Sequence, residues 1–450
     1  MLKVSAETFT DFGKGKKYFI RTYGCQMNER DSETLAGILV AMGYRRAARM
    51  EEADLIIFNT CCVRETAERK IYGRLNALRP LKKRRPDLLI GVGGCMAQKD
   101  KERVLAKAPH VDFVFGTHNI QELPELIGRA AAQAEPVVQV WEEGQASLLD
   151  LPAQREGKLK AYVTITYGCT NFCTYCIVPY VRGKEQSRPL QDIINEVTQL
   201  AREGYKEVTL LGQNVNTYGR DLERGVSFAR LLREVNQVEG IQRIRYTTSH
   251  PRDFSEEIIE AVRDCDKVCE HFHLPIQAGS NRVLERMNRG YTREDYLELV
   301  DRIREEVPNN SITTDIIVGF PGEEEEDFAA TLDIVRRVRF DNAFTFVFSP
   351  RSGTPAANMK DQVPEEVKKE RLNRLMELQD RISKEINEEL RGREVEVLVE
   401  GTSQKEGRFL TGRTRTNKLV LFPGAEELMG QLVTVRITRP QTWNLYGELV

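Results

Sequence analysis

Three cysteines stand within eight residues at Cys169-Thr-Asn-Phe-Cys-Thr-Tyr-Cys176, and no further cysteine or histidine follows until His250. Structural zinc and simple electron-transfer clusters want four protein ligands. Three thiolates around a four-iron cluster leave one iron without a protein ligand, open to a small molecule that brings its own amine and carboxylate. A zinc or plain redox centre is the competing reading, and it lacks a ligand.

A second set of cysteines repeats one structural position. Strand candidates Lys17–Thr22, Asp54–Thr60 and Leu88–Gly94 run into Cys25, Cys61 and Cys95, spaced 36 and 34 residues apart. Helical patterns lie at Ser32–Met42, Arg64–Leu78 and Lys99–Lys107. Strands alternating with helices imply a parallel sheet with right-handed crossovers, whose strand C-termini share one edge. Three cysteines brought to that edge suggest a metal site, although cysteine is also among the most buried residue types. Cys62 adjoins Cys61, but Cys61 matches the repeat.

The chain must supply several domains to hold these sets, and 450 residues allow about three. Nine cysteines without a signal-like apolar start point to a reducing, cytoplasmic setting, and no apolar run is long enough for a membrane. A net charge of −2 conceals basic runs at Arg79–Pro86 and Lys405–Lys418, each either a solvated face or a phosphate contact.

Residues 133–157 read as a linker between a 16–132 domain and a 158–390 core. Strand candidates in the core are Ala161–Thr166, Glu207–Leu211, Arg243–Thr248, His271–Pro275, Ile312–Val318 and Phe344–Phe348. Six βα units are too few for an eight-stranded barrel, so a partial (βα)6 barrel is expected, with Cys169–Cys176 at its mouth. Gln213, Asn214, Ser249 and Asp315 lie on or after its strands, and Arg188 suits a carboxylate or phosphate; these could line a cofactor cavity or serve structure. His271 and His273 share a strand face and are read as packing. Cys265 and Cys269 fall i, i+4 on an apparent helix, and Glu323–Asp327 as an acidic helix start. A long charged helix at Val363–Leu390 leads into residues 391–450, whose period-2 pattern and net charge of +2 suggest a small antiparallel β-barrel that binds nucleic acid through Arg408, Arg413, Arg415 and Lys418.

Cys169-x3-Cys173-x2-Cys176, with Tyr175 before the last cysteine, resembles the signature of the radical S-adenosylmethionine (SAM) superfamily. Thr22-Tyr-Gly-Cys-Gln-Met-Asn28, Asn59-Thr-Cys61 with Val63-Arg-Glu65, Gly94-Cys-Met-Ala-Gln98, Arg182-Gly183, Leu211-Gly-Gln-Asn214, Leu274-Pro-Ile-Gln277 and Gly319-Phe-Pro-Gly322 are similar to methylthiotransferases along essentially the whole chain. The terminal barrel resembles their RNA-binding TRAM domain, which is OB-like. Gln26-Met27-Asn28 resembles the branch acting on N6-isopentenyladenosine at position 37 of tRNA. The threonylcarbamoyladenosine and ribosomal-protein aspartate branches are the alternatives, and a non-catalytic zinc and RNA-binding protein is the alternative of another class.

The resemblance implies two 4Fe-4S clusters, one on Cys169, Cys173 and Cys176 and one on Cys25, Cys61 and Cys95, with one SAM as methyl donor and another as radical source. Tyr175, Arg188, Gln213, Asn214, Ser249 and Asp315 are the candidate SAM contacts. The implied partners are the anticodon loop of tRNA, a reductant such as flavodoxin or ferredoxin, and a sulfur donor or cluster carrier.

Overall fold

A computed structural model of the chain describes residues 11–62, 65–132, 135–142, 151–155, 157–403, 407 and 409–450, without the side chains of 65–67 and 69. Its contacts divide it into two compact units. The first runs to Gly157 and also takes Thr166–Thr170 and Cys176–Arg188; the second comprises Lys158–Ile165, Asn171–Tyr175 and Pro189–Val450.

The first unit is built on strands β1 (Lys17–Thr22), β2 (Arg45–Arg46), β3 (Leu55–Thr60), β4 (Leu89–Gly94), β5 (Phe113–Phe115) and β6 (Val137–Gln139). They form one parallel sheet in the order β2-β1-β3-β4-β5-β6. Every residue of β3 is buried, because helices cover both faces. Ile56 and Phe58 meet Ile71 and Leu75 on one face, while Leu55 and Ile57 join the cluster of Leu35, Leu39 and Leu126 on the other. β6 lies within the stretch expected to be linker; its three residues carry too little pattern to announce an edge strand. The helix expected over Lys99–Lys107 is two helices, Cys95–Asp100 and Arg103–Lys107, broken at Lys101 with its φ of 49°. A two-stranded antiparallel ribbon, β8 (Thr166–Tyr167) with β9 (Gln186–Ser187), also belongs to this unit.

The second unit holds six parallel strands in two sheets: β7 (Lys160–Thr164), β10 (Glu207–Leu211) and β11 (Arg243–Tyr246), then β12 (His271–His273), β13 (Ser311–Val318) and β14 (Asn342–Val347). A parallel bridge from Ile244 to Val268 continues the curvature between them. This is the expected partial barrel, filled by Val163, Val208, Leu210, Ile244, Phe272 and Ile316. Cys265 and Cys269 are not on a helix, since the helix Glu256–Asp264 ends before them and Cys265 is extended. Glu323 is not part of the acidic helix start either: Glu324 and Asp327 cap the helix Glu325–Val338, whereas Glu323 is buried against Arg371 at 2.8 Å.

The helix Glu365–Glu388 packs on β14 and leads to a closed barrel of β15 (Glu394–Thr402), β16 (Phe409–Thr414), β17 (Leu419–Pro423), β18 (Leu432–Pro440) and β19 (Leu445–Leu449). Four of its pairings are antiparallel, but β17 and β19 close it in parallel. Among the described residues, no helix is long and apolar enough to cross a membrane.

Arginines on β11 fasten this barrel. Arg243 donates to the Arg413 carbonyl at 2.6 Å and to Glu396 at 2.9 Å; Arg245 donates to Glu207 at 2.9 Å and the Thr414 carbonyl at 2.7 Å. Two of the expected phosphate-contacting residues are drawn into the same seam. Arg415 grips Glu270 through Nε at 2.8 Å and a terminal nitrogen at 2.6 Å, and Lys418 pairs with Asp341 at 2.6 Å. Arg413 donates to the Asn417 carbonyl at 2.9 Å and Arg408 lies outside the described residues. Acidic residues far away in sequence supply the partners of Arg415 and Lys418, so the cluster looked uncompensated when taken alone.

Candidate active site

Register sets the N-terminal cysteines. Thr60 pairs with Gly94, so Cys61 and Cys95 leave neighbouring strands side by side, while Cys25 caps the helix Gln26–Ala41 after β1. Gly94 turns at φ 89°, and an added Cβ would fall 2.5 Å from both Asn59 Oδ1 and the Thr60 carbonyl. The polar residues of the motifs lock these strand ends together: Asn28 Nδ2 donates to Asn59 Oδ1 and the Thr60 carbonyl, both at 3.2 Å, and Asn59 Nδ2 donates back to the Asn28 carbonyl at 2.8 Å. Gln98 Nε2 donates to the Trp141 carbonyl, and its Oε1 accepts from the Thr117 amide.

Cys61, Cys62 and Cys95 are buried and Cys25 is exposed. Cys62 hydrogen-bonds Cys95; that bond first, and then the charge of Arg182, holds the Cys95 thiol below the usual thiol range, while Cys62 is pushed up. Arg182 itself donates to Asp31 at 2.6 Å, placing the Arg182-Gly183 motif beside the N-terminal cysteines.

Within the other set, Cys169 and Cys176 belong to the first unit and Cys173 with Tyr175 to the second. The Cys169 amide donates to the Gly183 carbonyl at 3.1 Å. Thr174 is anchored to the segment after the helix Asn281–Arg286, its amide to the Met287 carbonyl at 3.0 Å and its hydroxyl to the Arg286 carbonyl at 2.8 Å. Cys173 is buried and accepts a hydrogen bond from Arg289 at 3.4 Å. Among the described residues, no three Cys, His, Asp or Glu side chains are gathered closely enough to hold a single metal ion. All nine cysteines are free thiols.

The loops that follow β10 and β11 carry unmet hydrogen-bonding capacity. Gln213 Oε1, Asn214 Oδ1, Asn216 Nδ2, Ser249 Oγ and both His250 ring nitrogens are buried without a partner in the described chain. Buried polar atoms rarely remain unpaired, so a ligand offering both donors and acceptors suits these groups. Gln213, Asn214 and Ser249 are among the residues the sequence singles out, and Asn216 and His250 carry unmet groups of the same kind. Asp315 lies on β13, 3.6 Å from His273 Nε2, and Arg188 is buried directly after β9. His271 and His273 each bond the Thr313 hydroxyl at 3.0 Å, in keeping with packing.

Burial first, then the charges of Arg289 and Arg252, lowers the His250 pKa to about 2. An unfolded histidine takes its proton near pH 6.5. The folded chain resists that proton, so this contribution to stability is complete above pH 6.5 and is lost as pH falls, by roughly 2 kcal/mol at pH 5. His250→Gln removes this part of the slope, which urea titrations of both chains at pH 7 and pH 5 will measure.

Parallel strands curling into a partial barrel, with the three-cysteine loop after the first of them, are the architecture expected of a radical SAM enzyme. The profile of the radical SAM superfamily matches residues 163–335, that of the uncharacterised family UPF0004 residues 17–116, and that of the TRAM domain residues 388–450. The radical SAM methyltransferase TsrM from Kitasatospora setae, solved with cobalamin and a [4Fe-4S] cluster, shares the fold at a TM-score of 0.55 and 15% identity, over 76% of this chain and 74% of its own. The tRNA-2-methylthio-N(6)-dimethylallyladenosine synthase of Moorella thermoacetica is 59% identical over 97% of this chain and 99% of its own. That of Acetivibrio thermocellus is 58% identical over 97% and 92%. The chain belongs to the tRNA-2-methylthio-N(6)-dimethylallyladenosine synthase family.

Proposed function

We propose that the chain adds a methylthio group to C2 of N6-isopentenyladenosine at position 37 of tRNA, consuming one SAM as methyl donor and one as radical source. Full-length identity of 58–59% to synthases of that name carries this reading. The radical SAM superfamily implies SAM and one 4Fe-4S cluster, for which Cys169, Cys173 and Cys176 are the donor set. When bound, that cluster supplies the electron that splits the SAM sulfonium, giving a radical able to take hydrogen from an aromatic C–H that no general base could activate.

The chain's own part is binding and orientation. Gln213, Asn214, Asn216, Ser249 and His250 would offer donors and acceptors to SAM, with His250 uncharged at neutral pH. Cys25, Cys61 and Cys95 would hold a second cluster, whose open iron can carry the sulfur to be transferred. A one-electron donor such as flavodoxin or ferredoxin and a sulfur donor or cluster carrier complete the system, in the reducing cytoplasm that free thiols suit.

For tRNA, the barrel offers a different surface from the seam. Trp443 is 61% exposed at the β18–β19 turn, the Arg439 guanidinium lies 4.1 Å above the Tyr446 ring, and Phe409 meets that ring edge-on at 6.0 Å. An aromatic and arginine face suits stacking and phosphate contact. Trp443→Ala should cost about 1–3 kcal/mol of tRNA binding, and Arg439→Ala should reduce the salt dependence by about one phosphate contact. Filter binding of tRNA across a salt series checks both.

The function itself is tested by anaerobic reconstitution with SAM, sulfide and reductant, followed by mass analysis of tRNA nucleosides. A methylthio product from tRNA bearing the isopentenyl group, and none from tRNA bearing threonylcarbamoyladenosine, is expected. The opposite preference would refute the substrate assignment.

A further inference from the structure

We propose that Arg289 is the counter-charge of the cluster at Cys169, Cys173 and Cys176, raising its reduction potential by donating a hydrogen bond to the Cys173 sulfur. The inference rests on Cys173 being a cluster ligand.

Arg289 is 4% exposed, just after the helix Asn281–Arg286. Its partners are all uncharged in their ordinary states: the Pro275 carbonyl at 2.8 Å, the Tyr291 hydroxyl at 3.1 Å, the Tyr175 hydroxyl at 3.4 Å and the Cys173 sulfur at 3.4 Å. Among the described residues it forms no ion pair with a carboxylate, unlike the buried Arg182, Arg245 and Arg371, which each have one. A buried cation without a counter-ion is costly. The groups within its reach that could carry negative charge are the Cys173 thiol and the two phenols, and ligation to iron requires the thiol to be a thiolate.

The same arrangement favours electron uptake. Reduction of the cluster adds one electron and one negative charge. A fixed cation against one thiolate stabilises the more negative state, and hydrogen bonds to cluster sulfurs are a recognised determinant of potential. Arg289 also reaches Tyr175, the aromatic between the second and third cysteines, and the Thr174 hydrogen bonds to Arg286 and Met287 fix the same loop to the same segment. Loop position and charge are therefore set together, and Arg289 acts as a positioning residue.

The test uses the full chain carrying Cys25→Ala, Cys61→Ala and Cys95→Ala, so that one cluster is observed. It is loaded anaerobically, with Arg289 intact or changed to Gln or Met, and titrated with dithionite while the reduced cluster is followed by electron paramagnetic resonance. The neutral variants should need a more reducing poise, with the reduced-to-oxidised ratio about tenfold lower at a fixed potential, a shift of about 59 mV for one electron. Arg289→Lys, which retains the charge, should recover most of that ratio. An unchanged midpoint in a fully loaded Gln or Met variant overturns the proposal. So does failure of both neutral variants to fold while Lys folds, which would assign the arginine to the fold alone. Failure of the parent to bind iron would instead refute the ligand assignment beneath it.

Discussion

With Cys25, Cys61 and Cys95 all changed to Ala, the reconstituted chain is expected to hold about four irons instead of about eight, to go on cleaving SAM, and to make no methylthiolated tRNA. The expectation follows from topology. Thr60 and Gly94 are register partners, Cys61 and Cys95 follow them on adjacent strands, and the Asn28–Asn59 hydrogen bonds draw the turn bearing Cys25 to the same edge. The residues proposed to contact SAM lie in the core and not among these cysteines, so radical formation should survive while sulfur delivery fails. Iron and sulfide analysis, 5′-deoxyadenosine formation and nucleoside analysis read the three outcomes separately. Cys62→Ala alone discriminates further. If Cys61 is the ligand, that variant keeps its iron; loss of about four irons from it would transfer the role to Cys62, which touches Cys95.

Much of this edge was legible because its signals are local. A strand, a glycine or threonine, and a cysteine recur three times, and β1, β3 and β4 fall within a residue of where the apolar runs place them. The Cys169–Cys176 spacing needs no fold to be noticed. What escaped depends on distant partners. Arg415 and Lys418 looked like part of a free basic cluster because their partners Glu270 and Asp341 lie scattered through the core. β6 is too short to show a period, and the parallel closure of β17 on β19 is a tertiary pairing that strand patterns do not record. Arg289 had no signal at all: it follows an ordinary helix, and only the folded chain brings it to Cys173.

Arg182→Ala is expected to destabilise the chain by about 3–5 kcal/mol, a large share of the 5–15 kcal/mol typical of a folded domain. The Arg182 and Asp31 side chains are only 6% and 9% exposed and meet at 2.6 Å. Removing the cation leaves Asp31 ionised and buried, with its desolvation uncompensated. Asp31→Asn should cost less, since an amide tolerates burial better than a carboxylate, and Arg182→Met with Asp31→Leu should recover much of the loss by replacing two charges with apolar volume. Urea denaturation of the unaltered chain, Arg182→Met, Asp31→Leu and the double variant closes the cycle and gives the coupling directly. Arg182 also faces Cys95 and Cys25. In the recovered double variant, the iron bound through the N-terminal cysteines should therefore become less firmly held, although stability has returned. If stability and iron retention recovered together, Arg182 would serve the packing of the first unit and nothing more. If they separated, a residue six positions beyond Cys176 would be shown to serve the other cysteine set through its charge.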